Sequence, residues 1–303
     1  MKKYSQFLKK KSLTIFLFHG VINKNPFSIR NYMKKHLLKK NFINILEDLS
    51  FNGNSISLDE AYSTIKQKKN FKDYSYAITF DDGFYNNYKI AAPILKKKKI
   101  HATFYITTSF IDKNEMSWAD KIEHMIEKMN GKKIINIVNK KYTIENNKKS
   151  KIKFLKSIRF FVKNNKTDLD SLVLDIKHQI EFNGRLSGLK NILDKKMNWE
   201  QVKKINHCKY FTIGGHTVNH PILSFLKYQD VKKEINNSID IINQKIKIKI
   251  KHYSYPEGLG HTYSKREINL LKKRGIKVCP SAVFGINSEN DDPFHLKRIF
   301  VNS

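Results

Sequence analysis

The fold is indicated by residues 76–83, which read YAITFDDG. Their apolar run, rich in β-branched and aromatic residues, predicts a buried strand over 76–80. A helix is expected over 86–99 and a second apolar strand over 101–107. A strand, a helix and a second strand in this order form a βαβ unit, whose two strands are parallel. We therefore expect an α/β fold with an at least partly parallel sheet.

The same alternation of short strands and amphipathic helices extends over most of the chain. It is interrupted at 112–198, where two stretches with apolar residues at helical spacing flank a hairpin expected at 133–145. We interpret residues 112–198 as a mostly helical insertion in a single domain that spans residues 1–303. Further strands are expected at 13–18, 210–213, 253–255 and 277–279, and further helices at 42–49, from Ser57 and, after an Asn198 cap, from Trp199.

The chain is strongly basic, with 58 Lys+Arg against 27 Asp+Glu and a formal net charge of +31. One explanation is a polyanionic partner, either nucleic acid or an anionic membrane surface. The other is compositional drift, because lysines far outnumber arginines and are scattered over every segment. A nucleic-acid footprint would instead cluster on one face. Drift is favoured, so we expect no nucleic-acid partner, while peripheral membrane contact stays open.

The compartment is indicated by the cysteines and the N-terminal residues. Cys208 and Cys279 are the two cysteines of the chain and form no CxxC pair, which favours free thiols in a reducing compartment. The apolar run at 13–18 is shorter than the core of a signal peptide, and no stretch approaches the length of a membrane span. We therefore expect a cytoplasmic protein, and nothing in the sequence indicates its oligomeric state.

Two adjacent carboxylates, Asp81 and Asp82, end the strand at 76–80 and precede Gly83. Catalytic groups of parallel α/β folds lie at the carboxyl ends of the strands, so both side chains are candidates for chemistry at a barrel mouth. A helix N-cap followed by a turn also uses Asp-Asp-Gly, and these residues alone support that interpretation equally well.

Two histidines, His216 and His220, lie four apart in GGHTVNHP at 214–221. Histidines at this spacing can bind one metal ion. The motif is not that of a zincin, because Thr217 stands where a zincin has its glutamate. Pro221 disfavours a helical His220 and predicts a loop. A carboxylate from another strand end would complete a two-histidine, one-carboxylate set with open positions, which is typical of a catalytic site.

Two later segments carry weaker signals. Residues 253–258 read YSYPEG, a strand running into a turn whose exposed N–H groups would suit an oxyanion hole. A plain turn explains that segment better when it is taken alone. Arg298, in DPFHLKRI at 292–299, is either a surface charge or the partner of a buried carboxylate.

Together, these motifs resemble the polysaccharide deacetylase family, which carries the NodB homology domain (carbohydrate esterase family four). The similarity runs from about Leu13 to the C-terminus. The insertion, with Trp118 in MSWADKIEHMI at 116–126, resembles that of members found among surface-glycan biosynthesis proteins. The motifs that carry the resemblance are FHGV at 18–21, SLDEA at 57–61, TFDDG at 79–83, GGHTVNHP at 214–221, YPEG at 255–258 and DPFHLKR at 292–298.

The resemblance implies a deformed (β/α) barrel of about seven strands, with the mostly helical insertion. It implies a metal-dependent hydrolase that cleaves the carbon–nitrogen bond of N-acetyl groups on amino sugars of a polysaccharide or glycan precursor. The implied cofactor is one divalent metal ion, in first place zinc, with other divalent transition metals as substitutes. The implied partner is the N-acetylated carbohydrate itself.

The resemblance also implies roles for individual residues. Asp81 would be the catalytic base. Thr217 would lie near the acetate, Glu257 would give a backbone N–H to an oxyanion hole, and Tyr255 and His19 would contact the substrate. The implied metal ligands are Asp82, His216 and His220.

Two features depart from the better-known members of the family. Ser254 stands where those members have an arginine, two positions before the proline, and Arg298 is expected to supply the missing cation that orients Asp81. The histidine that serves as general acid in those members has no clear counterpart. The candidates are His19, His261 and His295.

Other activities remain open at this point. One is an O-acetyl esterase or an N-deformylase that acts on a surface glycan or a lipid-linked sugar. Another is a glycan-binding relative without catalysis, although such a protein would be expected to lack one of the four key side chains, and none is lacking. The glycan and the physiological metal are not indicated by the residues.

Overall fold

The computed structural model describes residues 3–302. The strands expected in the first half of the chain are present, together with three short strands that were not expected, and two strands expected in the second half do not form. The strands are β1 (Leu13–Phe18), β2 (Gly20–Ile22), β3 (His36–Leu38), β4 (Asn54–Ser55), β5 (Ser75–Phe80), β6 (Ala102–Ile106), β7 (Lys133–Ile137), β8 (Lys140–Ile144), β9 (Phe211–Gly215) and β10 (Ile299–Phe300).

Two of the helices begin at the residues where the sequence predicted a helix start. Ser57 and Asn198 accept hydrogen bonds from the first turns of α2 and α8. A π-helical turn, Asn87–Ala91, precedes α3 where one continuous α-helix was expected. The helices are α1 (Lys39–Asn52), α2 (Leu58–Lys66), α3 (Ala92–Lys97), α4 (Thr108–Lys113), α5 (Trp118–Lys128), α6 (Lys148–Asn164), α7 (Leu169–Gln179), α8 (Trp199–Asn206), α9 (Tyr228–Ile246) and α10 (Lys265–Lys273).

Within residues 3–302 the main sheet has six strands, all parallel, in the order β10-β1-β5-β6-β9 with β4 beside β5. Strands β1 and β5 pair over their full length, so that Phe18 lies opposite Phe80. At the other side Ile106 of β6 pairs with Gly215 of β9. The carboxyl ends of these strands therefore lie together, and the residues that follow them emerge at one mouth.

Beyond β9 the barrel continues through single parallel bridges at Tyr253 and Val278, where the sequence predicted two further strands. That prediction is wrong in extent, because Tyr253 already lies opposite Gly215, the last residue of β9, and because Pro256 and Pro280 prevent either ladder from continuing. Proline has no N–H and cannot extend a ladder. The result is a deformed (β/α) barrel with helices around it, as predicted.

Alternation along β5 sorts its side chains between two apolar cores. Tyr76, Ile78 and Phe80 pack outward under the helices, where Phe80 stacks on Phe18 and Phe104 at centroid distances of 5.3 and 5.0 Å. Residues 75, 77 and 79 point to the barrel interior. Asp81 continues that inner series, which places its carboxylate at the inner rim.

The segment between α4 and α8 packs around a core of its own. Helices α5, α6 and α7 and the antiparallel hairpin β7–β8 bury an apolar cluster that includes Trp118, Ile122, Met125 and Ile158. This is the mostly helical insertion that the sequence predicted, and its bounds at about 112–198 within a single domain stay a prediction. No helix among the described residues has the length and apolar character needed to cross a bilayer.

Candidate metal centre and active site

The candidate site lies at the barrel mouth, where three loops contain left-handed backbone. φ is +74° at Asp82, +65° at Thr217, +60° at His220 and +58° at Glu257. Residues with a side chain seldom adopt this region, and they persist in it only where surrounding contacts hold them. The Thr217 N–H, for example, donates to the Tyr253 hydroxyl at 2.8 Å. The loops are thus held in conformations that their local sequence does not favour.

Asp82, His216 and His220 converge at this mouth. Each offers one ligand atom, and these atoms lie within 4.8 Å of one another. Oδ1 of Asp82 is 3.3 Å from Nε2 of His220 and 3.7 Å from Nε2 of His216. Neither contact has hydrogen-bond geometry, so Oδ1 is buried without a partner among the residues that the structure describes. A buried carboxylate oxygen left unpaired between two imidazoles is expected where a cation belongs.

The orientation of His216 is set by Ser254. The Ser254 carbonyl can only accept, so Nδ1 of His216 carries the proton and donates to it at 2.7 Å. Nε2 is then unprotonated and faces Asp82, as a ligand nitrogen requires. Burial lowers the pKa of His216, which also favours the neutral ring. Two imidazoles and one carboxylate with open positions fit zinc or another divalent transition metal.

Asp81 lies beside the three candidate ligands but is paired with Arg298. Both oxygens of Asp81 accept from the guanidinium at 2.9 Å, and both side chains are buried. The other guanidinium N–H groups donate to Oγ1 of Thr79 (3.2 Å), Oγ of Ser254 (2.9 Å) and the Ser281 carbonyl (2.6 Å). Burial alone would raise the pKa of Asp81, and the charge of Arg298 is the largest of several influences that together keep that pKa below its usual value. Asp81 is therefore ionised at neutral pH.

Comparison with known proteins identifies the family. A sequence profile described as "Polysaccharide deacetylase" matches residues 68–159 and 160–279. The chain belongs to the polysaccharide deacetylase family. It is thus a carbohydrate deacetylase, an enzyme whose substrate is an acetylated carbohydrate, and the family is generally metal-dependent. Among curated proteins, none matches the chain in sequence.

Solved structures of deacetylases resemble the fold over nearly its whole length. PplD, a deacetylase from Streptococcus pyogenes solved in complex with acetate, is 15% identical with a TM-score of 0.61, over 96% of this chain and 92% of its own. IcaB from Ammonifex degensii is 16% identical with a TM-score of 0.63, over 97% and 93%. A de-N-acetylase from Aggregatibacter actinomycetemcomitans is 15% identical with a TM-score of 0.60, over 96% and 95%. At this identity the similarity shows the fold, the deformed barrel of NodB-type deacetylases.

In this deacetylase the site opens into a cavity of about 260 Å³. The cavity also receives Asn31 and Lys35, from the segment that precedes α1. We name two sets of its lining residues. The barrel wall consists of Asp81, Asp82, His216, His220 and Arg298. The insertion wall, carried by α5 and α6, consists of Trp118, Glu123, Arg159 and Lys163.

A larger groove of about 500 Å³ adjoins the cavity and shares Trp118 and His220 with it. Its sides come from α4 and the start of α5, from the connection between α6 and α7, and from the loop that follows His220. Polar side chains such as Asn165 and Asp168 alternate there with apolar ones such as Phe225. Its volume suits a ligand longer than one sugar.

Of the four residues predicted to lie near the substrate, three line the cavity and one does not. His19, Tyr255 and Glu257 line the cavity. The Thr217 side chain is buried in its own loop, where Oγ1 accepts from the His220 N–H at 2.9 Å. Thr217 therefore supports a loop and is not among the described residues that line the cavity.

Tyr255 and Glu257 have their charged or polar ends engaged away from the centre of the cavity. The Tyr255 hydroxyl donates to the Phe294 carbonyl at 3.1 Å. Oε2 of Glu257 is 2.7 Å from Nζ of Lys163. Burial would raise the pKa of Glu257, but Lys163 and Arg159 lower it to about 2. Within residues 3–302 the Glu257 N–H finds no acceptor, so it is available to a ligand.

Of the three candidates for the general acid, His19 alone lines the cavity. Its Nδ1 is buried and has no hydrogen-bond partner within residues 3–302, and burial lowers the pKa of His19 to about 4. His261 is exposed and bound to the Lys163 carbonyl at 2.7 Å, and His295 is exposed and 3.1 Å from the Tyr263 hydroxyl.

The charged residues of the insertion wall and Lys35 do not stand out as site residues in the sequence. They become neighbours of the barrel mouth only through contacts across long chain separations, such as Lys35 Nζ to Oδ1 of Asp120 at 2.6 Å. The helical spacing that identifies α5 and α6 gives their buried faces but not the cavity into which the remaining side chains point. In the sequence, these residues appear as charges at the edge of an apolar helical stripe. Such charges are common on any amphipathic helix and do not by themselves indicate a site.

Proposed function

We propose that this deacetylase is a metal-dependent hydrolase that removes N-acetyl groups from amino sugars of a polysaccharide or a glycan precursor. Asp82, His216 and His220 would hold the metal, and Asp81 would act as the base. The observation that carries the proposal is the unpaired Oδ1 of Asp82 between two imidazoles, next to a second carboxylate that is kept out of the group by Arg298. A ligand set and an uncoordinated base in one cavity are the groups that metal-assisted hydrolysis of an acyl bond uses.

A divalent cation held by these three side chains would supply Lewis-acid chemistry, at the acyl carbonyl and at the attacking water. Asp81 receives the proton that the water loses on attack. Its bidentate pairing with Arg298 fixes the carboxylate and keeps it ionised, and it still has lone pairs free to accept. A positioned general base contributes roughly 10²–10⁴-fold to the rate.

The other polar groups of the cavity have proposed parts in the same reaction. The free N–H of Glu257 would donate to the oxygen that becomes negative when the acyl carbon is attacked. The proton taken up by Asp81 must finally reach the sugar nitrogen, so that acetate and a free amine leave. His19 is our candidate to relay it, because its Nδ1 is unpaired in the same cavity. A ring with a pKa of about 4 is neutral at pH 7, so His19 has to gain that proton before giving it up.

The groove supports a substrate with more than one sugar. It meets the cavity at Trp118 and His220, so a sugar whose acetyl group reaches the cavity could have its neighbours in the groove. The pairing of aromatic and amide side chains along such a groove suits the apolar faces and hydroxyl groups of a glycan.

The test is acetate release over a matched panel, with the metal content of the protein measured in parallel. The panel contains one oligosaccharide backbone bearing N-acetyl, O-acetyl or N-formyl groups. We expect acetate from the N-acetyl compound, its loss after chelation, and its return with added zinc. Acetate released from the O-acetyl compound alone would replace the proposal with an esterase, and formate released from the N-formyl compound alone, measured in the same reactions, would replace it with a deformylase. Binding of the glycan without release from any compound would identify a glycan-binding relative.

A further inference from the structure

Four cationic side chains line the cavity, and three of them are paired with a carboxylate. Arg298 pairs with Asp81 at 2.9 Å. The other two pairs are Lys163 with Glu257 at 2.7 Å and Lys35 with Asp120 at 2.6 Å. The fourth cation, Arg159, forms no ion pair and no hydrogen bond within residues 3–302.

Arg159 is held against the cavity by the helices of the insertion. It lies on α6, and its guanidinium carbon is 5.8 Å from the centre of the Trp118 ring. A guanidinium has five N–H donors in a planar fork and stays charged at any physiological pH. An aromatic face satisfies none of those donors. The guanidinium of Arg159 therefore lines the cavity with its N–H donors available to a ligand.

The charge of Glu257 acts on Arg159, but none of the described acids lies close enough to form an ion pair with it. Glu257 is engaged by Lys163. Glu123 accepts from the backbone N–H of Asn31 at 3.2 Å, and burial raises its pKa, which weakens it as a counter-ion. A second donor nearby is also unpaired, because the buried hydroxyl of Tyr32 has no hydrogen-bond partner in the described part of the chain. Arg159 is close enough for its charge to act on that hydroxyl.

We propose that Arg159 binds an anionic group of the acylated glycan, a phosphate or a carboxylate, and makes this deacetylase selective for anionic over neutral amino-sugar substrates. The proposal rests on the proposed function, since the acyl group of the same molecule must reach Asp81. Two parallel acceptor oxygens match the two-pronged face of a guanidinium, and such charge-assisted pairs are among the strongest hydrogen bonds in proteins. This is a local contact and is distinct from the scattered positive charge of the chain.

The experiment compares three N-acetylglucosamine compounds: the neutral methyl glycoside, the 1-phosphate, and a disaccharide with a hexuronic acid. Wild type should have a higher kcat/KM for at least one anionic compound, and which one identifies phosphate or carboxylate. Arg159→Gln should lower the anionic-to-neutral ratio of kcat/KM by about 10- to 100-fold, mainly through KM, as for loss of a hydrogen bond to a charged group. Arg159→Lys keeps the charge without the fork and should give an intermediate ratio.

The matched control is Lys156→Gln, which removes the same charge from the exposed side of α6. It should leave the ratio at the wild-type value. An unchanged ratio in Arg159→Gln, or wild type that does not distinguish the compounds, would overturn the proposal.

Direct binding separates this proposal from the deacetylase assignment. Calorimetry with the 1-phosphate, the uronic disaccharide and the methyl glycoside measures selectivity without turnover. If no compound releases acetate while wild type binds the anionic ones and Arg159→Gln does not, the N-deacetylase proposal fails and the role of Arg159 stands. If turnover occurs without that selectivity, the role of Arg159 fails alone.

Discussion

The barrel wall and the insertion wall differ in how their cations are satisfied. On the barrel wall, all five N–H groups of Arg298 have acceptors, and Asp81 takes two of them. On the insertion wall, Arg159 has none within the described part of the chain. The proposed base and its cation are thus fixed by each other, whereas Arg159 on the insertion wall is left for a ligand. Changes to the barrel wall should damage the reaction on every substrate, and changes to the insertion wall should alter the choice of substrate.

The largest effect is expected from the ligands. Wild type should carry roughly one divalent transition metal per chain, because three protein side chains bind one ion and leave room for substrate and water. Asp82→Ala and His216→Ala should each empty the site and abolish turnover, as measured by metal analysis of the purified protein and by acetate release. The control is Asp175→Asn, which removes an exposed carboxylate from α7 and should retain the metal. Full metal content in Asp82→Ala would remove that residue from the ligand set.

The second effect separates the two adjacent aspartates. Asp81→Asn should keep the metal and lose turnover by about 10²–10⁴-fold, because the base is gone while the ligands are intact. Asp82→Asn should weaken metal binding first, with turnover partly restored by excess metal. Single-turnover rates at saturating metal measure the difference. Intact turnover in Asp81→Asn, together with no turnover in Asp82→Asn, would reverse the two roles.

The third effect concerns pH. Arg298 holds the pKa of Asp81 below its usual value against burial, so Arg298→Ala should raise that pKa. As the pH is lowered, Asp81 is then protonated at a higher pH than in wild type. The acidic limb of the kcat/KM profile should therefore move to higher pH. Arg298→Lys should shift the limb less, because it retains a charge, and melting temperatures check that both variants fold. An unmoved acidic limb in Arg298→Ala would mean that Asp81 does not set it.

The smallest effect concerns salt. Turnover of a neutral glycan should change by less than about twofold between about 0.05 and 0.5 M salt, because scattered surface charges do not contact such a substrate. An anionic glycan should be more sensitive, since Arg159 would meet a charged group. A steep fall in turnover of the neutral glycan would show that the net charge of +31 acts in substrate or surface binding, and compositional drift would then be the wrong explanation.

The sequence predicts the barrel wall much better than the insertion wall. Asp81, Asp82, His216 and His220 follow strands, and the end of a strand fixes the position of the next side chain at the mouth. Arg298 was expected near Asp81, where the structure puts it. The roles of these residues stay predictions, although the side chains are together.

The insertion wall could not be predicted because its geometry depends on tertiary contacts. Arg159 lies on a helix whose buried stripe is evident, but its distance from the mouth depends on how α5 and α6 pack on the barrel. The single bridges at Tyr253 and Val278 have a similar origin, since apolar residues alone do not reveal how far a ladder extends. The choice among three histidines for the general acid likewise needed the cavity, which His261 and His295 do not line.

The left-handed backbone at Asp82, Thr217, His220 and Glu257 has a consequence for how the enzyme can change. Each such residue destabilises the folded chain by on the order of 1–2 kcal/mol, so the loops that carry the ligands work against folding. Substitutions that relax these loops would favour heat resistance and let the ligand atoms move apart, a stability–activity trade-off. Adaptation to higher temperature should therefore proceed elsewhere, on helix surfaces such as that of α1, where Phe51 is 90% exposed.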